Sequence, residues 1–306
     1  MKQQVCIVVG SANMDLVVTT DRFPQAGETI LGQAFAAIPG GKGANQAVCC
    51  AKLGGRVHFV GKMGKDRFGD QLRKSMKSDG VLLGHTMTDA DASTGMALIT
   101  VDRTGQNEII VISGSNMRLM PRDIDAHRSV FVRGGVLLLQ LEIPLRTVSR
   151  AVALARHKGL CVILNPAPAR VLPDTLLRCV DYLTPNETEA EILTGVKVTS
   201  VRSAEHAARQ LRERGVKNVV MTLGARGSLL VNGKGICLYP ARRVRAVDTT
   251  AAGDAFNGAL AYALTTGSNA EEAIPFANDV ASLSVTRFGA QISMPTLAEV
   301  RRFRSR

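Results

Sequence analysis

Tryptophan is absent from the 306-residue sequence, and only three tyrosines and nine phenylalanines are present. Proteins that bind nucleic acid by stacking need aromatic rings among their basic side chains. The net charge of +12 permits attraction to nucleic acid, but the arginines are scattered, with the densest group at residues 301–306. We therefore expect a solvated basic surface that attracts anionic small molecules, and no nucleic-acid partner. A basic nucleic-acid-binding protein remains an alternative that rests on charge alone.

Long apolar runs are also missing, since none reaches the roughly 18 residues that a membrane span needs. The apolar segment Val5–Val9 is short and runs into Gly10, with no basic lead and no small-residue cleavage pattern before it. We interpret it as a buried first strand rather than a signal peptide. We expect a cytoplasmic protein without a membrane partner.

Metal-binding cysteine patterns are absent as well. The six cysteines form no CxxC pair and no Cys/His spacing of a zinc site. Reduced thiols that fill core space are the favoured interpretation. The five histidines are spread along the chain outside any motif, and we assign them no catalytic role.

The sequence does contain a recurrent pattern of short apolar strands and amphipathic helices. Predicted strands cover 134–141, 161–165, 182–184 and 218–223, and predicted helices cover 145–158, 173–179, 187–194, 203–214, 255–266 and 270–286. Such alternation predicts an α/β fold with a mostly parallel central sheet flanked by helices. We expect one domain over residues 1–306.

Two stretches depart from this alternation. Residues 15–39 alternate polar and apolar side chains, with breaks at Pro24 and Gly27. Residues 94–112 fit two strands joined by Asp102-Arg103-Thr104-Gly105, a hairpin signal. We expect these segments to form a small β-sheet that acts as a lid over a cleft.

A glycine-rich motif, Gly-Gly-Lys-Gly-Ala-Asn-Gln, occupies residues 40–46. Its glycines allow close approach of a ligand to the backbone, and a helix beginning near Ala44 would point its amides at that ligand. Lys42 and Asn45 would add polar groups at the same place. The motif is not a Walker P-loop, and taken alone a structural glycine turn explains it equally well.

The second motif is Val-Asp-Thr-Thr-Ala-Ala-Gly-Asp at residues 247–254. Small residues there open a predicted helix whose free amides could hold a developing anion. Asp254 could simply cap that helix. The run of small residues before it has little packing value, however, and favours an anion hole with a carboxylate beside it. That pairing suits general-base activation of a hydroxyl that attacks a phosphoryl group.

These motifs, with several others in the same order, resemble the PfkB-type family of carbohydrate and nucleoside kinases. The matching segments are residues 10–15, 40–46, 139–142, 165–169, 184–189, 222–227, 248–254 and 287–291. The resemblance covers almost the whole chain. Departures at Met14, Pro39 and Phe288 concern pocket shape and an ion-binding loop, so they affect the expected substrate preference more than the expected reaction.

The resemblance implies a role for each matching position. Asp254 would be the base that takes a proton from a sugar hydroxyl, while the amides of Ala251, Ala252 and Gly253 stabilise the transferring phosphoryl group. The sugar pocket would be lined by Asn13, Met14, Asp15, Gly41, Lys42, Gly43, Ala44, Asn45, Glu142 and Asp254. Without the resemblance, Asn13 and Asp15 could be turn caps after the first strand.

The resemblance also implies sites for ATP, Mg²⁺ and K⁺. The nucleotide site would comprise Asn186, Glu189, Thr222, Leu223, Gly224, Ala225, Arg226, Gly227, Gly253 and Asn278. Asn186 and Glu189 match an NxxE motif that orders Mg²⁺ with its waters and the phosphates, although both also fit an ordinary helix start. The K⁺ loop would comprise Asp248, Thr250, Ser284, Arg287, Gly289 and Ser293, which act largely through backbone oxygens.

The expected function is ATP-dependent phosphorylation of D-ribose at its 5-hydroxyl to give D-ribose 5-phosphate. By family analogy, we expect a homodimer formed through the β lid. Alternatives within the family are a 2-deoxyribose kinase and a nucleoside kinase, and a different class is a catalytically silent sugar-binding regulator. Strand alternation should turn Met14 away from the face shared by Asn13 and Asp15, which favours ribose.

Overall fold

The structure is a computed structural model, and residues 4–305 are described. Its strands are β1 (Val5–Val9), β2 (Asn13–Thr19), β3 (Ala34–Gly40), β4 (Arg56–Val60), β5 (Lys62–Gly64), β6 (Met87–Asp89), β7 (Gly95–Val101), β8 (Asn107–Ile112), β9 (Val136–Leu139), β10 (Cys161–Leu164), β11 (Tyr182–Leu183), β12 (Asn218–Thr222), β13 (Ser228–Asn232) and β14 (Gly235–Tyr239). Its α-helices are α1 (Lys42–Lys52), α2 (Arg67–Ser78), α3 (Pro121–Ala126), α4 (Leu145–Lys158), α5 (Asp174–Leu177), α6 (Glu187–Thr194), α7 (Val201–Glu213), α8 (Ala252–Thr265), α9 (Ala270–Ser284) and α10 (Leu297–Arg304).

The large sheet has eight strands in the order β14-β13-β12-β11-β10-β9-β1-β4. The six strands from β12 to β4 are parallel, so their carboxyl ends lie at one edge. Beyond β12, β13 and β14 pair antiparallel. This architecture confirms the predicted α/β class. The antiparallel hairpin was not predicted, because its exposed outer strand β14 lacks the buried apolar run of the central strands.

Helices cover both faces of this sheet, and β1 shows why the strand sequences are almost entirely apolar. Its residues Ile7 and Val9 belong to one buried cluster, while Cys6 and Val8 belong to another on the opposite face. A strand with both faces covered has no polar side, because successive side chains point in opposite directions. The first cluster includes α4 and α7 side chains, and the second includes those of α1, α8 and α9.

Each of the six predicted helices is present in the structure, and α4 and α6 agree with the prediction at both ends. Helix α8 begins at Ala252, three residues before the predicted start at residue 255. Helix α1 begins at Lys42 rather than near Ala44, directly after Gly41. Gly41 has φ of +87°, a conformation that glycine adopts without steric cost, so the helix starts at the double glycine itself.

The small sheet has the order β3-β2-β7-β8, and its strands fall in the two segments predicted to form it. The hairpin between β7 and β8 turns at Asp102, whose backbone amide donates to the carbonyl of Gln106 at 3.0 Å. Strand β8 is exposed along its whole length. None of the helices within residues 4–305 combines the length and apolar character that crossing a membrane requires.

Candidate active site

The predicted site residues follow neighbouring strands at the carboxyl edge of the large sheet. Glu142 follows β9, Asn186 follows β11 and residues 223–227 follow β12, while residues 10–12 and 165–169 follow β1 and β10. Because β1, β9, β10, β11 and β12 are parallel and adjacent, these segments come together. Ligands of open α/β sheets bind at this edge, so these segments form a site at the usual position.

The carboxylate of Asp254 lies at the centre of this region and is only 6% exposed. Two side chains of α1 bind it: Asn45 donates from Nδ2 to Oδ2, and Gln46 donates from Nε2 to Oδ1, both at 2.9 Å. The two helices can approach this closely because α8 has Gly258 at the contact, where an added Cβ would lie 2.6 Å from that of Cys49. The structure thus joins the two sequence motifs in one site.

Asp15, Lys42, Glu142 and Asp254 form a charged cluster. Burial raises the pKa of Asp15 from 3.8 to about 7, assisted by the negative charges of Glu142 and Asp254, while Lys42 opposes the shift. Burial would lower the pKa of Lys42, but Asp254, Glu142 and Glu189 outweigh it and raise that pKa. The site therefore holds more carboxylates than its single lysine can neutralise.

Glu142 organises the backbone around the glycine motif. Its Oε2 accepts hydrogen bonds from the hydroxyl of Ser11 at 2.5 Å and from the amide of Lys42 at 3.1 Å. Burial raises the pKa of Glu142, although Lys42 and these donors oppose the shift. A Cβ on Gly43 would lie 2.6 Å from the backbone nitrogen of Ser11. The glycine is therefore required by packing of α1 against the segment after β1, in addition to any ligand.

Asn13 and Asp15 lie on β2, two residues apart and therefore on one face. Asn13 is held by Asn116, whose Nδ2 donates to Asn13 Oδ1 at 2.7 Å. The Met14 side chain was included among the residues of the expected sugar pocket, and the structure requires a correction. It is 1% exposed and packs in the same apolar cluster as Ala44 and Val48, because alternation turns it to the opposite face.

Asn186 and Glu189 form a reciprocal capping box at the start of α6. Asn186 Oδ1 accepts from the amide of Glu189 at 2.8 Å, and Glu189 Oε2 accepts from the amide of Asn186 at 2.9 Å. Burial raises the pKa of Glu189, and Lys42 opposes the shift. The helix-start interpretation is therefore correct, and the electrostatic interaction with Lys42 also places this carboxylate beside the charged cluster.

The expected nucleotide loop follows β12 and meets the end of β14. Gly224, Ala225 and Arg226 are exposed, while Gly227 is buried, and a Cβ there would lie 2.0 Å from the Tyr239 carbonyl oxygen. Asn278 Nδ2 donates to that same carbonyl at 3.0 Å, which brings α9 to the loop. The structure thus collects the loop and Asn278 at one place.

The backbone before Asp254 has an unusual conformation. Ala251 has φ of +60°, and within residues 4–305 no other non-glycine residue has a positive φ. Such a residue costs about 1–3 kcal/mol and is typical of functional sites. The amide of Ala252 donates to the Thr249 carbonyl at 3.2 Å, so one of the three amides expected to form the anion hole is engaged within its own turn.

Asp248 ties together the two segments of the expected K⁺ loop. Its Oδ1 accepts from the amide of Thr250 at 2.8 Å, and its Oδ2 accepts from the amide of Gly289 at 2.9 Å. Arg287 points its guanidinium at Glu299 of α10, at 2.6 Å, and this hydrogen bond lowers the pKa of Glu299 to about 2. The side chains of Ser284 and Ser293 donate to nearby backbone carbonyls.

The sequence interpretation missed several supporting side chains. Ser11 and Gln140 follow apolar strands within matching motifs, so their position was a signal that could have been used. Gln46 adjoins the predicted Asn45. Asn116 carried no such signal, because it belongs to no motif and lies 103 residues from its partner Asn13.

The fold and site define a sugar kinase of the PfkB type, and the comparison with protein families agrees. The chain belongs to the pfkB family of carbohydrate kinases, whose profile matches residues 3–297. The predicted resemblance is thereby confirmed.

Individual relatives and solved structures show which sugar kinases this chain is similar to. A ribokinase of Haemophilus influenzae is 41% identical over 302 residues, which cover 97% of this chain and 97% of that protein. A deoxyribokinase of Salmonella typhi is 38% identical over 299 residues, covering 97% and 98% of the two chains. The solved structure of Arabidopsis thaliana ribokinase complexed with ribose and ATP has a TM-score of 0.91 and 35% identity, and covers 98% of each chain.

The raised pKa of Asp15 predicts how stability depends on pH. Between pH 3.8 and about 7 the folded protein retains a proton that the unfolded chain has released, so Asp15 increasingly disfavours folding as pH rises. Asp15→Asn removes this ionisation. Its melting temperature should exceed that of the parent at pH 8, with an advantage that grows from pH 4 to 7 and then stays constant.

Thermal melting of both proteins across this pH range measures the effect. Asp70→Asn is the matched control, since the Asp70 side chain is 85% exposed. A melting difference for Asp15→Asn that does not change with pH would contradict the prediction.

Proposed function

We propose that this chain transfers the γ-phosphoryl group of ATP to the 5-hydroxyl of D-ribose, giving D-ribose 5-phosphate and ADP. The observation that carries the proposal is the buried Asp254 carboxylate, held by α1 at the start of α8. The H. influenzae and A. thaliana ribokinases, similar over nearly their whole length, support the same reaction.

A hydroxyl-rich substrate suits the polar groups beside Asp254. Asn45 uses its amide nitrogen on Asp254, while its Oδ1 is buried and accepts no hydrogen bond from residues 4–305. A buried acceptor in that state calls for a donor, and a sugar hydroxyl is one. Asp15 adds a carboxylate that can accept from two neighbouring hydroxyls, and Lys42 adds a donor.

The chemical step assigned to Asp254 is proton transfer. Its carboxylate accepts the proton of the sugar hydroxyl as that oxygen attacks the γ-phosphorus, and the bond from phosphorus to the ADP oxygen breaks. Phosphoryl transfer needs positioning and charge stabilisation more than covalent chemistry. The amides at the start of α8 supply a positive helix end for the transferring group, and the positive φ of Ala251 supports a functional conformation there.

Mg²⁺ would be held through Glu189 and Asn186. A single carboxylate that leaves most positions to water and phosphate is the usual protein contribution to such a site. Both oxygens of Glu189 already accept hydrogen bonds from Asn186, which orients the carboxylate. Mg²⁺ would supply charge neutralisation of the phosphates, while Lys42 contributes a fixed positive charge within the same cluster.

Removing the base should abolish most turnover. Asp254→Asn keeps the shape of the side chain but not its basicity, so kcat should fall by at least the roughly 10²–10⁴-fold that general-base catalysis supplies. ADP release with ribose, measured against a reaction without sugar, gives kcat. Asp70→Asn, at an exposed position, is the activity control. Retention of more than a tenth of parental turnover by Asp254→Asn would mean that Asp254 is only a helix cap.

K⁺ would be held by the loop that Asp248 organises. Asp248 is the one acidic residue among the six loop residues, and the others offer neutral hydroxyl and carbonyl oxygens. Oxygen donors with one negative charge suit a monovalent cation, and Arg287 is drawn away from the loop by its ion pair with Glu299. The ion would shape the backbone before Asp254 and tune the field at the transferring group.

Potassium should therefore raise kcat while leaving the KM for the sugar little changed. Initial rates in KCl are compared with rates in tetramethylammonium chloride at equal ionic strength. Asp248→Asn removes the one negative charge among the proposed K⁺ ligands. Activation of this variant should therefore require a higher KCl concentration. Equal parental rates in the two salts would refute the K⁺ site.

A 2-deoxyribose kinase is the second candidate, because the S. typhi deoxyribokinase is 38% identical to this chain. Side-chain placement favours ribose. Asn13 and Asp15 share a face of β2 and can reach sugar hydroxyls, whereas Met14 is buried on the other face.

A nucleoside would need an apolar platform for its base, and the chain is poor in aromatic residues. A silent sugar-binding regulator would have no use for a base beside an anion hole.

Ribose should exceed 2-deoxyribose in kcat/KM by roughly tenfold or more, because a polar group built to bind the missing hydroxyl is left unpaired. Competition between the two sugars at equal concentration, with products separated by mass, measures the ratio. Asp15→Asn should reduce the ratio of kcat/KM for ribose to kcat/KM for 2-deoxyribose. Preferential phosphorylation of 2-deoxyribose by the parent would show that ribose is the wrong substrate.

The small sheet is proposed as a lid and as the surface of a homodimer. Strand β8 exposes apolar side chains on both of its faces, with Ile109, Ile110 and Val111 each more than half exposed, and Phe35 of β3 is 67% exposed. Burial of this surface by a second copy would stabilise the pair, and a monomer in sedimentation velocity would contradict the proposed homodimer.

A cytoplasmic location is proposed because ATP is the phosphoryl donor.

A further inference from the structure

A chain of buried polar side chains runs from Asp254 through the protein and returns to the residue before it. Its members are Gln46 on α1, Asn165 after β10, Thr184 after β11 and Asn257 on α8. Each is at most 6% exposed. We call this set the buried polar chain. None of the four was assigned a role in the proposed reaction.

The connections are continuous. Gln46 Nε2 donates to Asp254 Oδ1 at 2.9 Å and to Asn165 Oδ1 at 3.1 Å. Asn165 Nδ2 donates to the Thr184 carbonyl at 3.2 Å, and the Thr184 hydroxyl donates to Asn257 Oδ1 at 2.6 Å. Asn257 Nδ2 then donates to the carbonyl of Gly253 at 2.8 Å. The ring closes on the backbone of the helix start that carries Asp254.

The direction of each hydrogen bond follows from the backbone carbonyls. A carbonyl can only accept, so Asn165 must present its amide nitrogen to Thr184 and its oxygen to Gln46. Gln46 must then present its nitrogen to Asn165, and the same nitrogen faces Asp254. The reversed amide would place the Gln46 oxygen against two acceptors. Gln46 is therefore restricted to donating to Asp254.

Gln46 is also held from its other side, because Gln140 Nε2 donates to its Oε1. Both amide hydrogens and the amide oxygen of Gln46 are thus engaged. Asn45 differs, since its Oδ1 has no donor among residues 4–305. Of the two amide side chains that bind the Asp254 carboxylate, only Gln46 has a hydrogen-bond partner within residues 4–305 for both its nitrogen and its oxygen.

We propose that Gln46 is a positioning residue for Asp254, which sets the plane of the carboxylate and couples it through the buried polar chain to the backbone of the anion hole. The inference rests on the proposed function of Asp254 as the general base. Groups that act on a reacting atom must be held by neighbours that are themselves fixed. Gln46 meets that requirement, and because it is 0% exposed its side chain presents no surface to a substrate.

Gln46→Met tests this by keeping the length and bulk of the side chain while removing its donors. One hydrogen bond to a charged group corresponds to roughly 10- to 100-fold in rate, so kcat should fall by that factor. The KM for ribose should change less than threefold, since the Gln46 side chain is fully buried.

Gln46→Glu is the second variant, and it decides the matter if Gln46→Met does not fold. It keeps the shape but places carboxylate oxygens against Asp254 and Asn165, so kcat should fall further while the KM for ribose stays close to that of the parent. The control is Thr147→Val on α4, which removes another fully buried hydrogen bond, to the Leu119 carbonyl. It should lower the melting temperature without changing kcat.

The parental protein separates the two possible failures. If it does not phosphorylate any pentose, the proposed function fails. If it is active and the folded Gln46 variant keeps kcat within twofold, Gln46 only fills space and the positioning role is wrong. A similar loss of kcat in Thr147→Val would also overturn the role, because the effect would then reflect stability.

Discussion

The contact between α1 and α8 is the interaction on which the site depends. It brings Asn45 and Gln46 to the two oxygens of Asp254, across more than 200 residues of sequence. Close approach requires a residue without a side chain at Gly258. A carboxylate buried at the start of a helix is expensive unless its oxygens receive hydrogen bonds. The two amides satisfy this requirement with neutral groups.

The remaining site residues depend on the parallel sheet. Because six adjacent strands run in one direction, the segments after β1, β9, β10, β11 and β12 open at the same edge. The result is a concentration of carboxylates with a single lysine, and burial of Asp15 in their company raises its pKa to about 7. Electrostatic cost of this kind is typical of sites that bind and activate polar ligands.

Much of this arrangement could be predicted from the sequence. Apolar runs followed by amphipathic helices predicted the α/β fold, and the helices α4 and α6 were predicted at both ends. The family resemblance was confirmed by comparison, and it named Asp254, Asn45 and Glu142, which the structure brings together. The β13–β14 hairpin escaped prediction although β13 carries a buried apolar run, and only its partner β14 is an exposed edge strand.

The local sequence determined where most central strands and helices lie and, for α4 and α6, both of their ends, since periodicity, glycine and capping side chains act over a few positions. It also determined that Met14 faces away from Asn13 and Asp15, because side chains alternate along a strand. Only the tertiary structure decided which side chains hold the reactive groups. Asn116 binds Asn13, and Gln46 binds Asp254, over separations of 103 and 208 residues. Such pairs depend on strand order and helix packing. The sequence shows which side chains can form hydrogen bonds, but it does not show which of them will meet.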